Sequence, residues 1–534
     1  KTMQISLKSN PTHLPWVVQK YGGTSIGKFL NEIANTIIPT YLKTNKIVIV
    51  CSARSGNTKE EGTTNRLLRA AQEALIDGSN KHLEIVQEIR QDHLNAARAV
   101  IKNKEILQSL ETQLENECLK LRSFLEAAEV IYIYIYIYLF FILYFGILII
   151  DEISPRSKDI IVGMGETLSC TIVTAVLKDR GIDSQLVVLN NLIEREFATL
   201  DESFYKYIAE RLQHVILQCG NRVPVLTGFF GNVPGSLLTS IGRGYTDLCA
   251  ALAAVGLKAQ ELQIWKEVDG IFTADPRKVK TARLLPIITP EEAAELTYYG
   301  SEVIHPFTME QVIKAEIPIR IKNVENPMGQ GTIIFPDISA NKSKNGYATP
   351  PPTPAVLAQN GYHLDLSRKH PTAVTVKDKI CVLNVHSNRK NVSHGFLAKI
   401  FMALDEHNII VDLISTSEVH VSMALSSEVD VSSLEKALVA LRHLGTVDVI
   451  QDMAIISLVG KQMKNLVGVA GKMFTSLAEA GISIEIISQG ASEINISCVV
   501  GERFALAALR AIHQRLLDVD PSVELPKLES VTIQ

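Results

Sequence analysis

Short apolar runs alternate with longer amphipathic stretches over the first 335 residues of the chain. In residues 167–179 and 204–217 the apolar positions recur every three or four residues, which predicts helices with one buried face. Between such stretches, shorter apolar runs predict strands at 16–21, 47–51, 160–162, 185–189, 223–227, 261–265 and 317–321. Strands that alternate with helices predict an α/β fold, in which helices sandwich a largely parallel sheet.

This alternation stops at residues 336–378, where Ser, Asn, Gly and Pro dominate the sequence. The prolines between positions 350 and 354 favour an extended backbone. We therefore expect residues 14–335 to form one domain and residues 336–378 to be a flexible linker.

The last part of the chain contains an internal repeat. Residues 395–415 align with residues 468–488 at a constant offset of 73, and each copy has a glycine, an amphipathic helix and a strand. A second strand follows in each copy, and then a further helix and strand, which is the β-α-β-β-α-β order of a ferredoxin-like unit. The sequence predicts two such units, at 379–450 and 451–534, whose exposed sheet edges can pair.

Composition narrows the class of protein. The 534 residues carry a formal net charge of −4 and are 46% hydrophobic, which is typical of a folded multidomain protein and argues against a nucleic-acid partner. The seven cysteines are scattered and include no Cys-x-x-Cys pair, so we expect a reducing compartment rather than a disulfide framework or structural zinc. Because no apolar run precedes residue 16, we expect a cytoplasmic protein without a secretory signal.

Residues 130–150 form an uncharged apolar segment of 21 residues that contains five tyrosines. Its length suits a membrane span and exceeds that of a single buried strand. Alternating Ile-Tyr is also what an (AT)n tract encodes, so a translated non-coding stretch explains the segment without a structural role. We favour this third interpretation and expect no membrane partner.

Two loops rich in glycine and hydroxyl residues follow predicted strands near the beginning of the chain. Lys20 ends the first strand, and the backbone N–H groups of Gly22, Gly23 and Ser25 can then approach a phosphate. Gly22 and Lys28 imitate the spacing of a P-loop, but Phe29 stands where Ser or Thr should hold Mg²⁺, so Lys20 is the better phosphate cation. The second loop begins at Ser52, where parallel sheets bind ligands. A plain turn remains the alternative for each loop.

Two further glycine-rich segments carry charged residues. Glu166 follows Gly163 and Gly165 and is expected to open a helix, whose dipole favours a carboxylate. There it either caps the helix or binds an ammonium group. Arg243 lies between Gly242 and Gly244 and can hold a carboxylate through two hydrogen bonds. The third glycine of a dinucleotide-binding fingerprint is missing, so binding of NAD is not supported.

A fifth motif, WKEVDGIFTADPR, spans residues 265–277. Its cations Lys266 and Arg277 and its carboxylates Asp269 and Asp275 suit a nucleotide and its metal, and a polar turn is the alternative. The sequence shows neither a Ser-His-Asp arrangement nor a metal-ligand spacing. It therefore does not indicate which residues, if any, bind a metal ion.

Taken together, these strings resemble the aspartate kinases of the amino-acid kinase superfamily, in their fungal form. KYGGTS, GRGYTDLCAAL, WKEVDGIFTADPRK and ELTYYGSEVIHPFTMEQV occur in one order, and the resemblance covers about residues 14–335 and 379–534. Residues 130–150 have no counterpart that the resemblance leads us to expect. The repeat resembles the paired ACT domains of that family, which bind an end-product amino acid and favour a homo-oligomer.

The resemblance implies transfer of a phosphoryl group from ATP, with Mg²⁺, to the side-chain carboxylate of L-aspartate, the first step toward threonine, methionine and isoleucine. It implies that Glu166 takes the α-ammonium group, Arg243 takes the α-carboxylate, and Asp247 orders the site. The implied aspartate neighbours are Ser52, Thr64 and Phe229. The implied nucleotide neighbours are Lys20, Gly22, Gly23, Ser25, Lys266, Phe272, Asp275 and Arg277.

The resemblance leaves the effector and some nucleotide details open. In fungi the family expectation for the effector is threonine, and we expect it in the first ACT unit, near Phe396, Leu397, Asp412, Ser417 and Glu418. Tyr245 and Glu302 depart from bacterial relatives, and the fungal form shares both departures. The alternatives are a superfamily kinase that acts on another acid or on UMP, and a non-catalytic amino-acid sensor.

Overall fold

A computed structural model describes residues 7–56, 61–76, 78–142, 154–299, 304, 306–334, 370–387, 395–417, 419–461, 463, 466–490 and 494–518, with the backbone alone at 128–142, 243, 306 and 307. The chain divides into two compact units. Unit one comprises Lys1–Gly270 and Ile304–Thr349, and unit two comprises Ile271–Val303 and Pro350–Gln534.

Unit one is built from short strands and long helices. Its strands are β1 (Trp16–Tyr21), β2 (Lys46–Cys51), β3 (Ser184–Val187), β4 (Val223–Thr227), β5 (Glu261–Lys266), β7 (Ile319–Asn323) and β8 (Thr332–Ile334). Its helices are α1 (Gly23–Glu32), α2 (Ile38–Tyr41), α3 (Thr63–Glu73), α4 (Lys81–Val100), α5 (Lys104–Ile142), α6 (Pro155–Asp179), α7 (Glu202–Leu217), α8 (Leu237–Ser240), α9 (Tyr245–Leu257) and α11 (Pro306–Lys314). A π-helical turn, Ile33–Ile37, joins α1 to α2.

The strands of unit one follow the order β3-β4-β2-β1-β5-β7-β8. All neighbouring pairs are parallel except β7 and β8. One face of the sheet forms an apolar core with α1 and α3–α6, while α9 packs against β1 and β5 on the other face and α7 packs on α9. This confirms the predicted α/β fold, and it brings the carboxyl ends of β1, β2, β4 and β5 to one edge, where such sheets bind ligands.

Helix α6 corrects two local predictions. Residues 160–162 were expected to form a strand, but they lie inside this helix, which begins after the N-cap residue Ser154. Glu166 therefore lies in the interior of the helix rather than at its start. Among the described residues, α6 alone is long and apolar enough to cross a membrane, and 83% of its most apolar window is buried inside the protein.

The apolar segment at 130–150 begins within α5. The backbone of α5 continues as helix as far as Ile142, which contradicts a buried strand for residues 130–142. Residues 143–153 lie outside the described part of the chain. Upstream of the segment, Leu110, Leu114, Leu121 and Leu125 of α5 are buried in the core of unit one.

Unit two contains an antiparallel sheet. The strands of unit two are β6 (Ile287–Ile288), which is not part of that sheet, and β9 (Ala373–Ser387), β10 (Val411–Thr416), β11 (His420–Ser426), β12 (Gly445–Val459), β13 (Ile486–Ser488) and β14 (Asn495–Gly501). Its helices are α10 (Pro290–Tyr298), α12 (Phe396–Asp405), α13 (Val431–Arg442), α14 (Val469–Glu479) and α15 (Ala505–Leu516). Six of the strands form one sheet in the order β10-β11-β9-β12-β14-β13, which confirms two ferredoxin-like modules joined side by side.

The two modules share their long strands β9 and β12. Residues 380–387 of β9 pair with residues 445–453 of β12 in the first module, and residues 373–377 pair with 455–459 in the second. Residues 373–377 were assigned to the linker by the sequence, so this assignment was wrong. In the second module these residues form the strand beside β12. The sequence predicted that the last strand of this module would follow α15. Residues 519–534, which come after that helix, are outside the described part of the chain.

The segment 271–303 packs with unit two. Ala274 and Val279 belong to the same apolar core as α14 and α15, and Thr372 donates a hydrogen bond to Glu292 (2.6 Å). The sequence placed this segment within a domain at 14–335, whereas its compact packing is with the ferredoxin-like modules.

Candidate active site

A pocket of about 170 Å³ opens at the carboxyl ends of β1 and β2. A single buried water needs about 10–15 Å³ of such space, so the pocket has room for a small solute. Residues of α1, of the loop 52–55, of the first turn of α3 with its N-cap Gly62, and of α6, α8 and α9 line it. Of the residues singled out from the sequence, Gly23, Ser52, Thr64 and Glu166 line this pocket.

Close backbone packing joins the two loops that the sequence identified. The N–H of Ser55 donates to the carbonyl of Gly23 (3.0 Å), and the N–H of Ser52 donates to that of Tyr21 (3.1 Å). A Cβ at position 23 would lie 2.2 Å from the carbonyl oxygen of Ala53. Position 23 therefore requires glycine, whereas Gly22 faces open space and precedes α1.

Lys20 and Asp247 form an ion pair beside these loops. Lys20 is the penultimate residue of β1, and Asp247 lies in the first turn of α9. The Lys20 Nζ is 2.8 Å from Asp247 Oδ1, and the two side chains are only 13% and 16% exposed. The pair therefore holds a cation in a fixed place at the edge of the sheet.

Glu166 is a buried carboxylate, 1% exposed, that is surrounded by hydrogen-bond donors. Its Oε1 accepts from the hydroxyl of Thr246 (2.7 Å), and its Oε2 accepts from the backbone N–H of Phe229 (2.5 Å). Burial raises the pKa of Glu166 to about 7, and these donors, with Tyr245 and Gly228, act in the opposite direction. A carboxylate in this state changes charge near neutral pH and can bind a cation such as an ammonium group.

The two glycines before Glu166 allow close packing rather than a helix start. A Cβ at Gly163 would lie 2.5 Å from the ring of Phe229, and one at Gly165 would lie 2.8 Å from Leu67. The glycines thus let α6 approach the chain that carries Phe229 and the helix α3. The helix-dipole explanation for Glu166 was wrong, because the residue lies in the interior of α6, where donors from other elements surround it.

Asp159, which was not expected from the sequence, organises one wall of the pocket. Asp159 is 1% exposed and accepts hydrogen bonds from the Ser236 hydroxyl (2.9 Å) and from the N–H groups of Leu237 (2.6 Å) and Leu238 (3.1 Å). Leu238 lines the pocket. Asp159 precedes Glu166 by two helical turns, so a helical interpretation of this segment would have placed both carboxylates on one face.

Other predicted residues of unit one lie near the pocket or point elsewhere. Ser25 is buried and donates to Glu267 (2.6 Å), so its hydroxyl is already engaged. The Phe229 ring packs against Gly163. Lys266 ends β5. The backbone of Arg243 lies in a 3₁₀ turn, Gly242–Gly244, directly before α9, and its side chain is outside the described part of the protein.

Three predicted nucleotide residues lie in unit two, on a hairpin. Phe272 pairs with Leu284 in an antiparallel bridge. Arg277 is exposed, and its guanidinium donates to both oxygens of Asp275 (3.0 and 2.9 Å). The hairpin thus presents a preformed pair of opposite charges.

The predicted effector residues lie in the first ferredoxin-like module. Asp412 of β10 is 6% exposed and pairs with Lys377 of β9 at 2.7 Å, and among the described residues its Oδ2 has no hydrogen-bond partner. Phe396 is buried at the first turn of α12 and Leu397 is 43% exposed. The N–H of Ser417 donates to the carbonyl of His420 (2.7 Å). Glu418 lies outside the described residues.

Comparisons with known proteins agree with this architecture. The model of the amino acid kinase family matches residues 15–323, and an ACT-domain model matches residues 456–516. An aspartokinase of Schizosaccharomyces pombe is 54% identical over 97% of this chain and 96% of its own, and one of Saccharomyces cerevisiae is 49% identical over 96% and 95%.

Solved structures extend the likeness to the whole fold. E. coli aspartokinase III in complex with aspartate and ADP has a TM-score of 0.67 at 27% identity, with 94% of this chain and 99% of that chain covered. The family model spans more than half of the chain, and the fungal relatives match it nearly end to end. The chain therefore belongs to the amino acid kinase family, and within that family to the aspartokinases.

Proposed function

We propose that this pocket binds L-aspartate and that the protein transfers the γ-phosphoryl group of ATP to the side-chain carboxylate, giving 4-phospho-L-aspartate and ADP. The observation that carries the proposal is the buried carboxylate of Glu166, which lines one pocket together with Gly23, Ser52 and Thr64. A buried acid among fixed donors suits the α-ammonium group of an amino acid. The product would be the first intermediate toward threonine, methionine and isoleucine.

The proposed reaction needs no general base. A side-chain carboxylate with a pKa near 3.9 is already ionised at neutral pH. One of its oxygens forms a bond to the γ-phosphorus while the bond from that phosphorus to the bridging oxygen of ADP breaks. The protein has to align the two reactants and offset the negative charge of both.

Lys20 is the cation that we assign to this task. Its ion pair with Asp247 fixes the ammonium group at the carboxyl end of β1, next to the backbone of Gly22 and Gly23. Asp247 acts by holding Lys20 in place. In the aspartate site, Ser52, Thr64 and Phe229 would border the substrate, and Arg243 would take the α-carboxylate on the strength of the family resemblance.

The nucleotide would be held by backbone groups and by charged side chains. Because the Ser25 hydroxyl is engaged by Glu267, we assign to Gly22, Gly23 and Ser25 contacts through the backbone. Lys266, Phe272, Asp275 and Arg277 are the further assignments for ATP. The family resemblance implies that Mg²⁺ accompanies ATP, and we propose that the phosphates mainly hold it.

An amino acid is the proposed regulator, and threonine is the candidate that we favour. E. coli aspartokinase III has been solved in complex with lysine and aspartate, in a T-state, and the present chain carries comparable modules in unit two. Among the described residues, the Oδ2 of the buried Asp412 has no hydrogen-bond partner, so this oxygen can accept a hydrogen bond from an ammonium group. We also propose that the modules join copies of the chain into a homo-oligomer, at least a dimer, and that the protein acts in the cytoplasm.

An assay of the purified protein tests the reaction. ADP release is coupled to NADH oxidation in the presence of aspartate, glutamate or no acceptor, and hydroxylamine traps the acyl phosphate. We expect ADP release and hydroxamate formation with aspartate alone. Equal rates with glutamate would favour another acid kinase, and no turnover with threonine binding intact would favour a non-catalytic sensor.

A further inference from the structure

The hairpin 271–285 of unit two is held together by its own backbone. The N–H of Thr273 donates to the carbonyl of Arg283 (2.9 Å), and the N–H of Leu285 donates to that of Ile271 (2.7 Å). Asp275 and Arg277, which we assigned to ATP, lie on the loop of this hairpin. The inference below rests on that assignment.

His513 of α15 lies against the base of the hairpin. It is fully buried, and its Nε2 is 2.9 Å from the hydroxyl of Thr273, while its Nδ1 is 3.5 Å from that of Thr281. Burial lowers the pKa of His513. The ring is therefore neutral at pH 7 and has one nitrogen that can accept a hydrogen bond from a threonine hydroxyl.

Further contacts fasten the hairpin to the same helix and to β9. The guanidinium of Arg510 donates to the carbonyl of Lys278 (3.0 Å), and that of Arg283 donates to the carbonyl of Leu517 (2.6 Å). The N–H of Val374 donates to the carbonyl of Thr273 (2.8 Å). Thr273 is thus the point at which α15, β9 and the hairpin meet.

We propose that His513 is a positioning residue for nucleotide binding: through Thr273 it sets the conformation of the hairpin that carries Phe272, Asp275 and Arg277. A helix of the second ferredoxin-like module would thereby control the affinity for ATP without touching the nucleotide. The same strand β9 carries Lys377, the partner of Asp412, so the hairpin and the proposed effector site share one element.

The test compares substrate affinities in the full-length protein. In His513→Leu we expect the KM for ATP and the Kd for ADP, measured by titration calorimetry without aspartate, to rise about 3- to 10-fold, as for the loss of one hydrogen bond. The KM for aspartate and kcat at saturating ATP should stay within about twofold, less than the loss of one hydrogen bond would cause, since neither His513 nor Thr273 is among the residues that line the aspartate pocket. His513→Gln, which restores a side chain that can accept, should recover much of the ADP affinity. His443→Leu, a change at an exposed histidine of the first module, is the matched control.

Thr273→Val removes the same hydrogen bond by changing the other partner. This variant tests the inference if His513→Leu does not fold. The double variant should be no worse than either single variant, because both lose one interaction. An unchanged ADP affinity in folded His513→Leu and in Thr273→Val would overturn the inference, as would equal losses for ATP and aspartate. If Arg277→Ala also leaves ADP binding unchanged, the assignment of the hairpin to the nucleotide fails too. If Arg277→Ala weakens ADP binding while the His513 and Thr273 variants do not, that assignment stands and only the role of His513 is excluded.

Discussion

The ammonium group of Lys20 lies 2.8 Å from the carboxylate of Asp247, although 226 positions separate the two residues in the chain. Lys20 is the penultimate residue of β1, and Asp247 lies in the first turn of α9, which packs on that strand. The pair has little contact with water, so its geometry is held by the packing of the strand and the helix. This arrangement fixes a positive charge where the proposed phosphoryl transfer takes place.

Replacement of Lys20 by Met should lower kcat by about 10²–10³, by analogy with the removal of one group that stabilises a transition-state charge. The fold should survive, because the side chain lies at the end of a strand, and circular dichroism checks this. Lys28→Met is the matched control, since Lys28 is the exposed lysine that a P-loop interpretation would select. Normal turnover in Lys20→Met would remove this residue from the mechanism, and a loss in Lys28→Met would favour the P-loop.

Glu166 should make aspartate binding depend on pH. With a pKa of about 7, the side chain is largely neutral at pH 6 and largely ionised at pH 8, and only the ionised form attracts an ammonium group. The KM for aspartate should therefore fall as the pH rises from 6 to 8, while the KM for ATP changes little. Initial-rate measurements over this range check the prediction, and a flat profile for aspartate would argue against the assignment.

The raised pKa of Glu166 should also make the protein less stable as the pH rises. A carboxyl group with a folded pKa above its usual 4.5 stabilises the fold fully below pH 4.5, and this contribution is lost as the pH rises through about 7. The loss is on the order of 3 kcal/mol at about 1.4 kcal/mol per pH unit. Glu166→Gln should remove this decline, since the hydroxyls of Thr246 and Tyr245 can turn to accept from the amide. Melting curves at pH 5 and pH 8 compare the two proteins.

Much of the fold was predictable because it depends on local patterns. The alternation of strand and helix patterns predicted the parallel sheet, and parallel strands bring their carboxyl ends to one edge. For this reason Gly23 and Ser52, which follow predicted strands, were expected at one edge of the sheet and do line one pocket. The place of Glu166 beside Ser52 came from the family resemblance, because the strand expected before Glu166 is part of helix α6. The repeat at an offset of 73 likewise predicted two similar modules.

The remaining errors come from interactions that are remote in sequence. Gly163 and Gly165 suggested a helix start, but tertiary packing against Phe229 and Leu67 keeps them inside α6 despite their low helix propensity. Residues 373–377 pair with β12, about 80 positions further along the chain, and no local pattern identifies such a partner. Asp159 was missed because its segment was taken as a strand.

Gly163→Ala tests the close packing of α6 against Phe229. The added Cβ would lie 2.5 Å from the phenyl ring, so we expect a loss of about 1–3 kcal/mol in the free energy of unfolding, as in overpacked cores. The displaced Phe229 N–H donates to Glu166, so the KM for aspartate should also rise. Gly471→Ala in α14 is the control, because a Cβ there meets open space and should be neutral or stabilise the helix by about 0.5–1 kcal/mol. Equal stabilities for the two variants would contradict the packing argument.

Asp412→Asn should relieve inhibition by threonine and leave kcat without effector nearly unchanged. The substitution removes the charge that pairs with Lys377 and that we assign to the effector ammonium group. Asp448→Asn, a change at an exposed acid on β12 of the same module, is the matched control. Titration calorimetry that finds undiminished threonine binding in Asp412→Asn would exclude this site, and loss of binding in both variants would point to a general effect of charge.

Deletion of residues 130–150 should raise the soluble yield and leave the kinetic constants at least as favourable. Lys20 and Ser52 precede this segment, whereas Glu166 and Asp247 follow it. Ser52 and Glu166 line one pocket, and Lys20 contacts Asp247. A bilayer about 30 Å thick cannot separate residues that meet in this way, so the segment has no place as a span between the two parts of the site. A charge-free segment with high β-propensity is, however, an aggregation hazard. Centrifugation, membrane flotation and the coupled assay compare the deletion variant with the full-length protein. Two results would contradict the prediction: an inactive deletion variant, or active full-length protein that floats with membranes. Either result would mean that the segment has a structural role.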